Sequence, residues 1–305
     1  MTLREIYSAK NEQEKGFFTQ KIPVISFEIF PPKNDADGQK LDKLIAHLAI
    51  LKKYNPAFIS LTYGAGGTNQ NFSLDIIKRV QSELNLTVMP HFTCVGASRE
   101  SVKDYLNEIQ SLGLKNILAL RGDIPEGVVQ TNFDFKYANE LVEFIKIHTS
   151  LSIGVAGYPE GHIDCDDFLV DLDNLKRKVD AGADAIYTQM FFDNDKFFSF
   201  VQLARDAGID VPIIPGILPI MSFGQFERML SMARVSVPKA LMQRLEKFKD
   251  NSDDVKALGV EFASYQCQQL IDAEVAGLHF YTLNTSSSIS PILDNLGIGL
   301  NYNRV

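Results

Sequence analysis

Glu28 is the first residue that asks for a chemical reading. It sits in VISFEIFPP, Val24 to Pro32, a run of β-branched and aromatic residues closed by Pro31-Pro32. A β-strand sends alternate side chains to opposite faces, so Glu28 shares a face with Val24, Ser26 and Phe30, while Ile25, Phe27 and Ile29 take the other. If that second face packs under helices, Ser26 and Glu28 point inward. A carboxylate with apolar neighbours resists ionising, so its pKa is expected to rise, which makes Glu28 a candidate general acid at neutral pH. A buried structural glutamate paired with Arg or Lys satisfies the same pattern.

Other stretches carry further candidates. LALRGD, Leu118 to Asp123, ends a strand-like run, and Gly122 lets the backbone approach a ligand closely. Asp123 could cap a helix, but the Ile124-Pro125 that follows starts none. YGAGGTNQ, Tyr63 to Gln70, is a glycine-rich turn without GxGxxG spacing, and such a turn alone is more often just a loop. YPEGHIDCDD gathers Glu160, His162, Asp164, Cys165 and Asp166. Neither HExxH nor a second His–Cys pair accompanies it, so solvated carboxylates are the simpler reading and no metal is expected. Asp171, Asn174 and Lys178 fall at i, i+3 and i+7, on one helix face away from Phe168, Leu172, Leu175 and Val179. That face is either solvated or a strip of hydrogen-bonding groups for an elongated cofactor.

The elements that must position these residues alternate along the chain. Strands are expected at 24–30, 58–64, 87–93, 116–122, 152–158, 184–191, 212–218 and 278–284. Helices are expected at 39–53, 69–84, 99–112, 135–149, 167–181, 194–207, 222–233, 238–275 and 287–296. In 99–112, Val102, Tyr105, Leu106, Ile109 and Leu112 follow helical spacing, with Ser98 as N-cap and Gly113 as stop. Eight β-then-α units in 305 residues read as an α/β fold, a single-domain (βα)8 TIM-type barrel. A doubly wound open sheet permits the same alternation. Residues 1–20 are set apart as an N-terminal extension and 21–305 as the barrel. In a barrel, chemistry gathers where strands end. There lie Glu28, Thr62-Tyr63-Gly64, His91 to Thr93, Arg121-Gly122-Asp123, Tyr158 with Glu160 and His162, Gln189, and Tyr281 with Asn284. The opposite strand ends carry fewer polar groups.

Composition narrows the class. The chain is 45% hydrophobic and 22% charged, ordinary for a globular protein with a full core. A formal net charge of -8 argues against a sequence-independent grip on nucleic acid or an anionic membrane, and LKRK at 175–178 is the only compact basic run. The charged N-terminus has no apolar signal-like core, and no apolar run nears the ~18–20 residues of a membrane span. Three scattered cysteines (Cys94, Cys165 and Cys267) suit a reducing compartment, so a cytoplasmic location is expected.

Taken jointly, SFEIFPPK, LTYGAGG, PHFTC, ALRGD, YPEGH, NLKRKVDAGAD, TQMFFD, PIIPGILPI and HFYTLN, in this order, resemble the bacterial methylenetetrahydrofolate reductase family. The resemblance covers roughly residues 20 to 300. It implies a (βα)8 barrel holding non-covalent FAD and a ping-pong reaction. A nicotinamide from NAD(P)H gives hydride to flavin N5 and leaves. 5,10-Methylenetetrahydrofolate then accepts it and becomes 5-methyltetrahydrofolate, which supplies methyl groups for methionine synthesis. The separate C-terminal regulatory domain of eukaryotic relatives is not in this sequence, so NADH is the expected donor. A homo-oligomer is implied as well.

The resemblance also assigns roles. Glu28 matches the acid that delivers a proton toward folate N10, and Asp123 the aspartate beside flavin and folate. Thr62, Tyr63, Ala65, His91, Leu120, Arg121, Gly122, Tyr137, Tyr158 and His162 match flavin contacts. Asp171, Asn174 and Lys178 match the adenosine and phosphate end. Gln189, Gln225 and Tyr281 match the substrate site. Two departures stand out. Thr285 replaces an arginine that meets the folate's glutamate tail, so tail recognition is expected to be weaker or supplied by Lys33. Met229 stands where some relatives place a stacking aromatic ring. Two other readings remain open: a (βα)8 folate enzyme without flavin, such as a pterin-binding methyltransferase, and a non-enzymatic barrel that binds folate or FAD.

Overall fold

The alternation seen in VISFEI recurs in every strand, and it sorts side chains between two environments. In a computed structural model, which describes residues 1–12, 23–33, 35, 38–62, 70–124 and 133–299, the strands are β1 (Val24–Ile29), β2 (Phe58–Leu61), β3 (Val88–Thr93), β4 (Asn116–Leu120), β5 (Ser152–Gly157), β6 (Ala185–Met190), β7 (Ile213–Ile217) and β8 (Gly277–Tyr281). They pair in sequence order and in parallel, and β8 returns to β1, closing a barrel. The open-sheet alternative is thereby excluded. The closing seam aligns Ser26 with His279 and Glu28 with Tyr281.

Outward-facing Ile25, Phe27 and Ile29, Ile117 and Ala119, and Leu278 and Phe280 join one continuous apolar shell with the surrounding helices. Inward-facing residues divide by height. Toward the N-terminal ends, Val24, Phe58, Met89, Leu118, Ala185, Tyr187 and Ile214 form an apolar plug. Toward the C-terminal ends the interior turns polar: Ser26, Ser60, His91 and His279 are all buried there.

The helices are α1 (Leu3–Glu12), α2 (Gln39–Leu51), α3 (Gln70–Leu84), α4 (Arg99–Ser111), α5 (Ala138–His148), α6 (Phe168–Asp180), α7 (Asn194–Asp206), α8 (Phe223–Ser231), α9 (Lys239–Phe248), α10 (Ser252–Asp272) and α11 (Ile289–Asn295). α4 begins and ends as its sequence requires. Ser98 and Ser101 form a reciprocal capping box, and Gly113 turns the chain at φ 75°.

Three expectations change. The stretch 238–275 is two helices, because Asn251 accepts from the backbone N–H groups of Asp253 and Asp254 and starts α10 afresh. Residues 3–12, read as part of an extension, form α1, whose Leu3, Ile6 and Tyr7 complete the apolar plug. The boundary drawn at residue 20 lies outside the described residues. The N-terminal strand ends also carry a buried polar group that was not foreseen: Asp184 accepts from Ser152 Oγ (2.7 Å) and the Ile153 N–H (3.0 Å) and pairs with Arg4.

Candidate active site

Glu28 stands near the C-terminal end of β1, in the polar half of the barrel. Its backbone is fixed by β8, since the Thr282 hydroxyl donates to the Glu28 carbonyl at 2.7 Å. Two residues further on, Asn284 receives the Phe30 N–H (3.0 Å) and donates to the Phe30 carbonyl (2.7 Å), which pins the strand end. The carboxylate is 19% exposed and faces two imidazoles, with Oε2 3.6 Å from His91 Nε2 and 3.5 Å from His279 Nε2. His91 Nε2 is also 3.1 Å from Ser60 Oγ, and His279 Nδ1 is 2.8 Å from Ser26 Oγ.

This surrounding reverses the expected shift. Burial pushes the Glu28 carboxyl up, but the His279 ring beside it, with His91 and the Ser60 hydroxyl, outweighs that push. The net direction is down, so Glu28 is ionised in the free protein at neutral pH. The apolar neighbours Phe27 and Ile29 face the helices and do not surround the carboxyl. Burial brings His91 down to about 4, against the opposing pull of Glu28, so that ring is neutral at pH 7.

Beside this mouth runs a cleft of about 1250 Å³ between the ends of β3, β4 and β5 and helices α5 and α6. That exceeds the roughly 300–1,000 Å³ of ordinary small-ligand pockets and suits an elongated ligand. Leu120, Arg121, Gly122, Asp123, Tyr137, Tyr158, His162, Asp171, Asn174 and Lys178 all line it. Six of the ten residues matched to flavin (Leu120, Arg121, Gly122, Tyr137, Tyr158 and His162) and the helix face matched to adenosine and phosphate thus line one cleft.

The local order is specific. Gly122 has φ +85°, and a Cβ there would lie 2.8 Å from Thr93 Cβ, so only glycine fits this bend. Arg121 pairs with Asp164 at 2.7 Å. The His162 N–H donates to Asp171 (3.1 Å), and the His162 ring sits edge-on to Tyr158. Lys178 Nζ donates to the Ala156 carbonyl (2.6 Å). Burial brings its ammonium down to about 8; Asp171 opposes this and Arg121 adds to it. A half-buried cation with Arg121 and Arg177 in the same cleft lining can receive phosphate.

A smaller cleft of about 140 Å³ shares Asp123, Tyr158 and His162 with the first and adds Gln189 and Met232. Across it, Arg234 donates to the Cys165 carbonyl (2.7 Å), and both Glu160 oxygens accept from the Ser236 N–H at 3.0 Å. The carboxylates of YPEGHIDCDD are thus engaged by Arg121, Arg234 and a backbone amide. Among the described residues no cluster of three or more His, Cys, Asp or Glu is arranged to hold a metal.

The remaining described candidates are not among the residues lining these two clefts. Thr62 is half-buried, and its N–H donates to the Ile29 carbonyl. Tyr63 and Ala65 lie outside the described residues. Tyr281 donates to the Thr188 carbonyl at 2.7 Å, and burial beside Glu28 raises its phenol well above its ordinary value. Gln225 is half-buried on α8, and Met229 packs on the apolar cluster of α8 to α10. Thr285 bonds Ser287 (3.0 Å), and Lys33 is exposed, its carbonyl accepting from Lys40.

Sequence reading missed His279, Ser26's bond to it, and Arg234. The alternation in GLHFY places His279 inward beside Tyr281, so His279 was findable. Arg234 carries no periodic signal, because its contacts cross between two loops.

The family profile for methylenetetrahydrofolate reductase matches residues 14–297. Methylenetetrahydrofolate reductase (NADH) 1 of Arabidopsis thaliana is 41% identical over 93% of this chain and 50% of its own length. The chain thus spans about half the length of the plant and fungal relatives it matches. 5,10-Methylenetetrahydrofolate reductase of Escherichia coli is 36% identical over 90% of both chains. Among solved structures, an uncharacterized Clostridium thermocellum protein described as binding two copies of 5-methyl-5,6,7,8-tetrahydrofolic acid superposes with a TM-score of 0.65 at 13% identity, over 93% of this chain and 97% of that one, which shows a shared fold. With a profile running from before β1 to beyond α11 and an E. coli relative matched over nearly its whole length, the chain belongs to the methylenetetrahydrofolate reductase family.

Proposed function

We propose that this protein reduces 5,10-methylenetetrahydrofolate to 5-methyltetrahydrofolate with electrons from NADH, using non-covalent FAD held in the large cleft. The observation that carries this reading is a cleft of dinucleotide size, lined by Asp123 and by Thr93 of β3, the same strand whose His91 faces the Glu28 carboxylate. A colourless folate methyltransferase would have no use for a phosphate-sized charge at the half-buried Lys178 beside the glycine bend at Gly122.

The residues present fit FAD. Lys178, with Arg121 and Arg177 nearby, would take the phosphates. Asn174 and Asp171 offer polar partners along α6, and Tyr137 and Tyr158 offer ring surface. When bound, FAD supplies the hydride carrier between nicotinamide and folate. Asp123, exposed at the meeting of the two clefts, would favour a cationic folate electrostatically.

Glu28 would move the proton. Folate lying over the mouth removes the remaining water from the carboxylate, which raises its affinity for a proton. Transfer of that proton to N10 lets the N10–CH2 bond break, with its electron pair going to N10. The methylene left on N5 becomes an electrophilic iminium. Tyr281 flanks the same mouth, and Gln189 lines the smaller cleft with Asp123.

The purified protein is expected to show a flavin spectrum that NADH bleaches and methylenetetrahydrofolate restores. In Glu28→Gln, bleaching is expected to persist while recolouring by folate is lost. A colourless protein refutes the cofactor, and folate reduction at the wild-type rate in Glu28→Gln refutes the acid.

A further inference from the structure

Glu28 is ionised in the free protein, yet its proposed role is to give a proton away. The structure places one buried group where it can share that proton. His279 is 1% exposed. Its ring stacks on Phe58 (centroids 6.4 Å) and meets Tyr187 (5.1 Å) and Tyr281 (5.7 Å) edge-on, so its plane is fixed by three aromatic neighbours. Nδ1 is committed to Ser26 Oγ at 2.8 Å. Nε2 is fully enclosed and has no hydrogen-bond partner among the described residues. Its neighbouring acceptor is Glu28 Oε2 at 3.5 Å, a gap that closes to bonding distance with a shift of a few tenths of an ångström. Catalytic hydrogen bonds are often long before substrate binds and tighten in the complex. A buried imidazole nitrogen without a partner is costly, and here it is aimed at the carboxylate the reaction uses.

We infer that His279 is a positioning residue for the reaction proposed above, forming with Glu28 a pair that holds one transferable proton, with Ser26 setting the ring's tautomer. The inference rests on the proposed acid role of Glu28. Two arrangements carry the same number of protons. In one, Glu28 is a neutral acid whose O–H donates to Nε2, while Nδ1–H donates to Ser26. In the other, the proton has crossed to Nε2, leaving a carboxylate beside an imidazolium, and Nδ1–H still donates to Ser26. Delivery of the proton to folate N10, through the Glu28 carboxyl, leaves a carboxylate beside a neutral ring that keeps its Nδ1–H on Ser26. The proton balance closes within three side chains, and bulk water re-protonates the pair after product leaves.

His91 is the less suited partner. Burial leaves it neutral at pH 7, and Ser60 already engages the Nε2 that faces Glu28. Tyr281 also faces the pair, from the end of β8, and its raised phenol stays neutral. Tyr187 is bonded to Tyr7 (3.1 Å) and turns its ring edge to His279.

The test is titration of Glu28 itself, followed in the holoprotein by the infrared band of the protonated carboxyl, assigned through its loss in Glu28→Gln. Without His279 the burial of Glu28 goes unopposed on that side. In His279→Phe the carboxyl is therefore expected to titrate at least one pH unit higher, and the pH profile of folate reduction to move with it. Ser26→Ala, which changes only the partner of Nδ1, is expected to move both in the same direction by less. FAD retention checks that each variant is folded. If His279→Phe does not fold, Ser26→Ala and His279→Gln decide. His279→Gln keeps an N–H for Glu28 but cannot take up a proton, so it should hold the carboxyl low yet slow folate reduction. Unchanged titration in every folded variant overturns the pair. A shifted titration in a protein that never reduces folate supports the pair and refutes the proposed function instead.

Discussion

On the proposed reading, the half-buried Lys178 would tie pH to cofactor binding. Its ammonium is brought down to about 8 by burial, so at pH 7 it is charged and can meet phosphate directly. Above about 8 the free protein carries a neutral lysine, and binding a dianionic cofactor must first restore the proton. Affinity for FAD is therefore expected to be flat from pH 6 to 7.5 and to weaken up to about tenfold per pH unit above 8. Calorimetry in buffers of different ionisation enthalpy should show proton uptake in that range. Lys178→Met is expected to bind FAD more weakly and without the pH dependence. Wild-type affinity that stays constant through pH 9 would show that the phosphates do not reach Lys178. The position of Lys178 on its helix face was legible in the sequence, because i, i+3, i+7 spacing fixes it. Its burial was not, since that depends on β5 and the Ala156 carbonyl. Glu28 shows the same limit. Parity along β1 gave its direction correctly, but its protonation is set by His91 and His279, which other strands bring to it.

At the scale of elements, the sequence located every strand and misjudged mainly their ends. The strand reading 278–284 ran past β8 by three residues, because Thr282 and Leu283 keep a strand-like composition after ladder pairing stops. There the chain leaves the ladder and instead fastens the end of β1 through Thr282 and Asn284. The fusion of α9 and α10 into one reading had a different cause: helical spacing continues on both sides, and the cap at Asn251 is a local signal inside it. α10 also holds the sharpest packing constraint. A Cβ on Gly259 would lie 2.0 Å from the Ile220 carbonyl oxygen, a backbone atom just past β7. In an open helix, glycine to alanine stabilises by about 1 kcal/mol. Here Gly259→Ala is expected to destabilise, by roughly 1–3 kcal/mol or more, because α10 must lift from the loop that leads into α8. Urea unfolding measures the sign directly, and a gain in stability would mean that α10 does not press on that loop. The displaced loop leads to Gln225, so folate affinity is expected to fall alongside stability.

For the whole molecule, the two ends of the barrel are built to opposite purposes. The C-terminal end is polar and open to ligands. The N-terminal end is closed by α1, whose Leu3, Ile6 and Tyr7 are 0%, 5% and 4% exposed and continue the apolar plug inside the strands. Their i, i+3, i+4 spacing is helical and could have been read, but the charges of the segment made it look like an extension. Polar groups also fasten the cap: the Leu3 N–H donates to Ser152 Oγ, Asn116 donates to the Met1 carbonyl, and Arg4 meets Asp184. Burying three such side chains is worth roughly 5–8 kcal/mol gross, and ordering the segment costs back a large part. Removal of residues 1–12 is therefore expected to lower stability by about 2–4 kcal/mol, a fall in Tm of roughly 4–10 °C, followed by circular dichroism. The Arg4 side chain is 69% exposed, and Asp184 keeps its bonds to Ser152 and Ile153. Arg4→Ala should thus cost about 1 kcal/mol or less, separating the apolar seal from the ion pair. Because the cap lies at the opposite end from Glu28, the truncated protein is expected to keep FAD and the Glu28→Gln phenotype at temperatures below its new midpoint. A truncated chain that melts with the full-length one would show that Val24, Phe58, Met89 and Leu118 close the floor without α1.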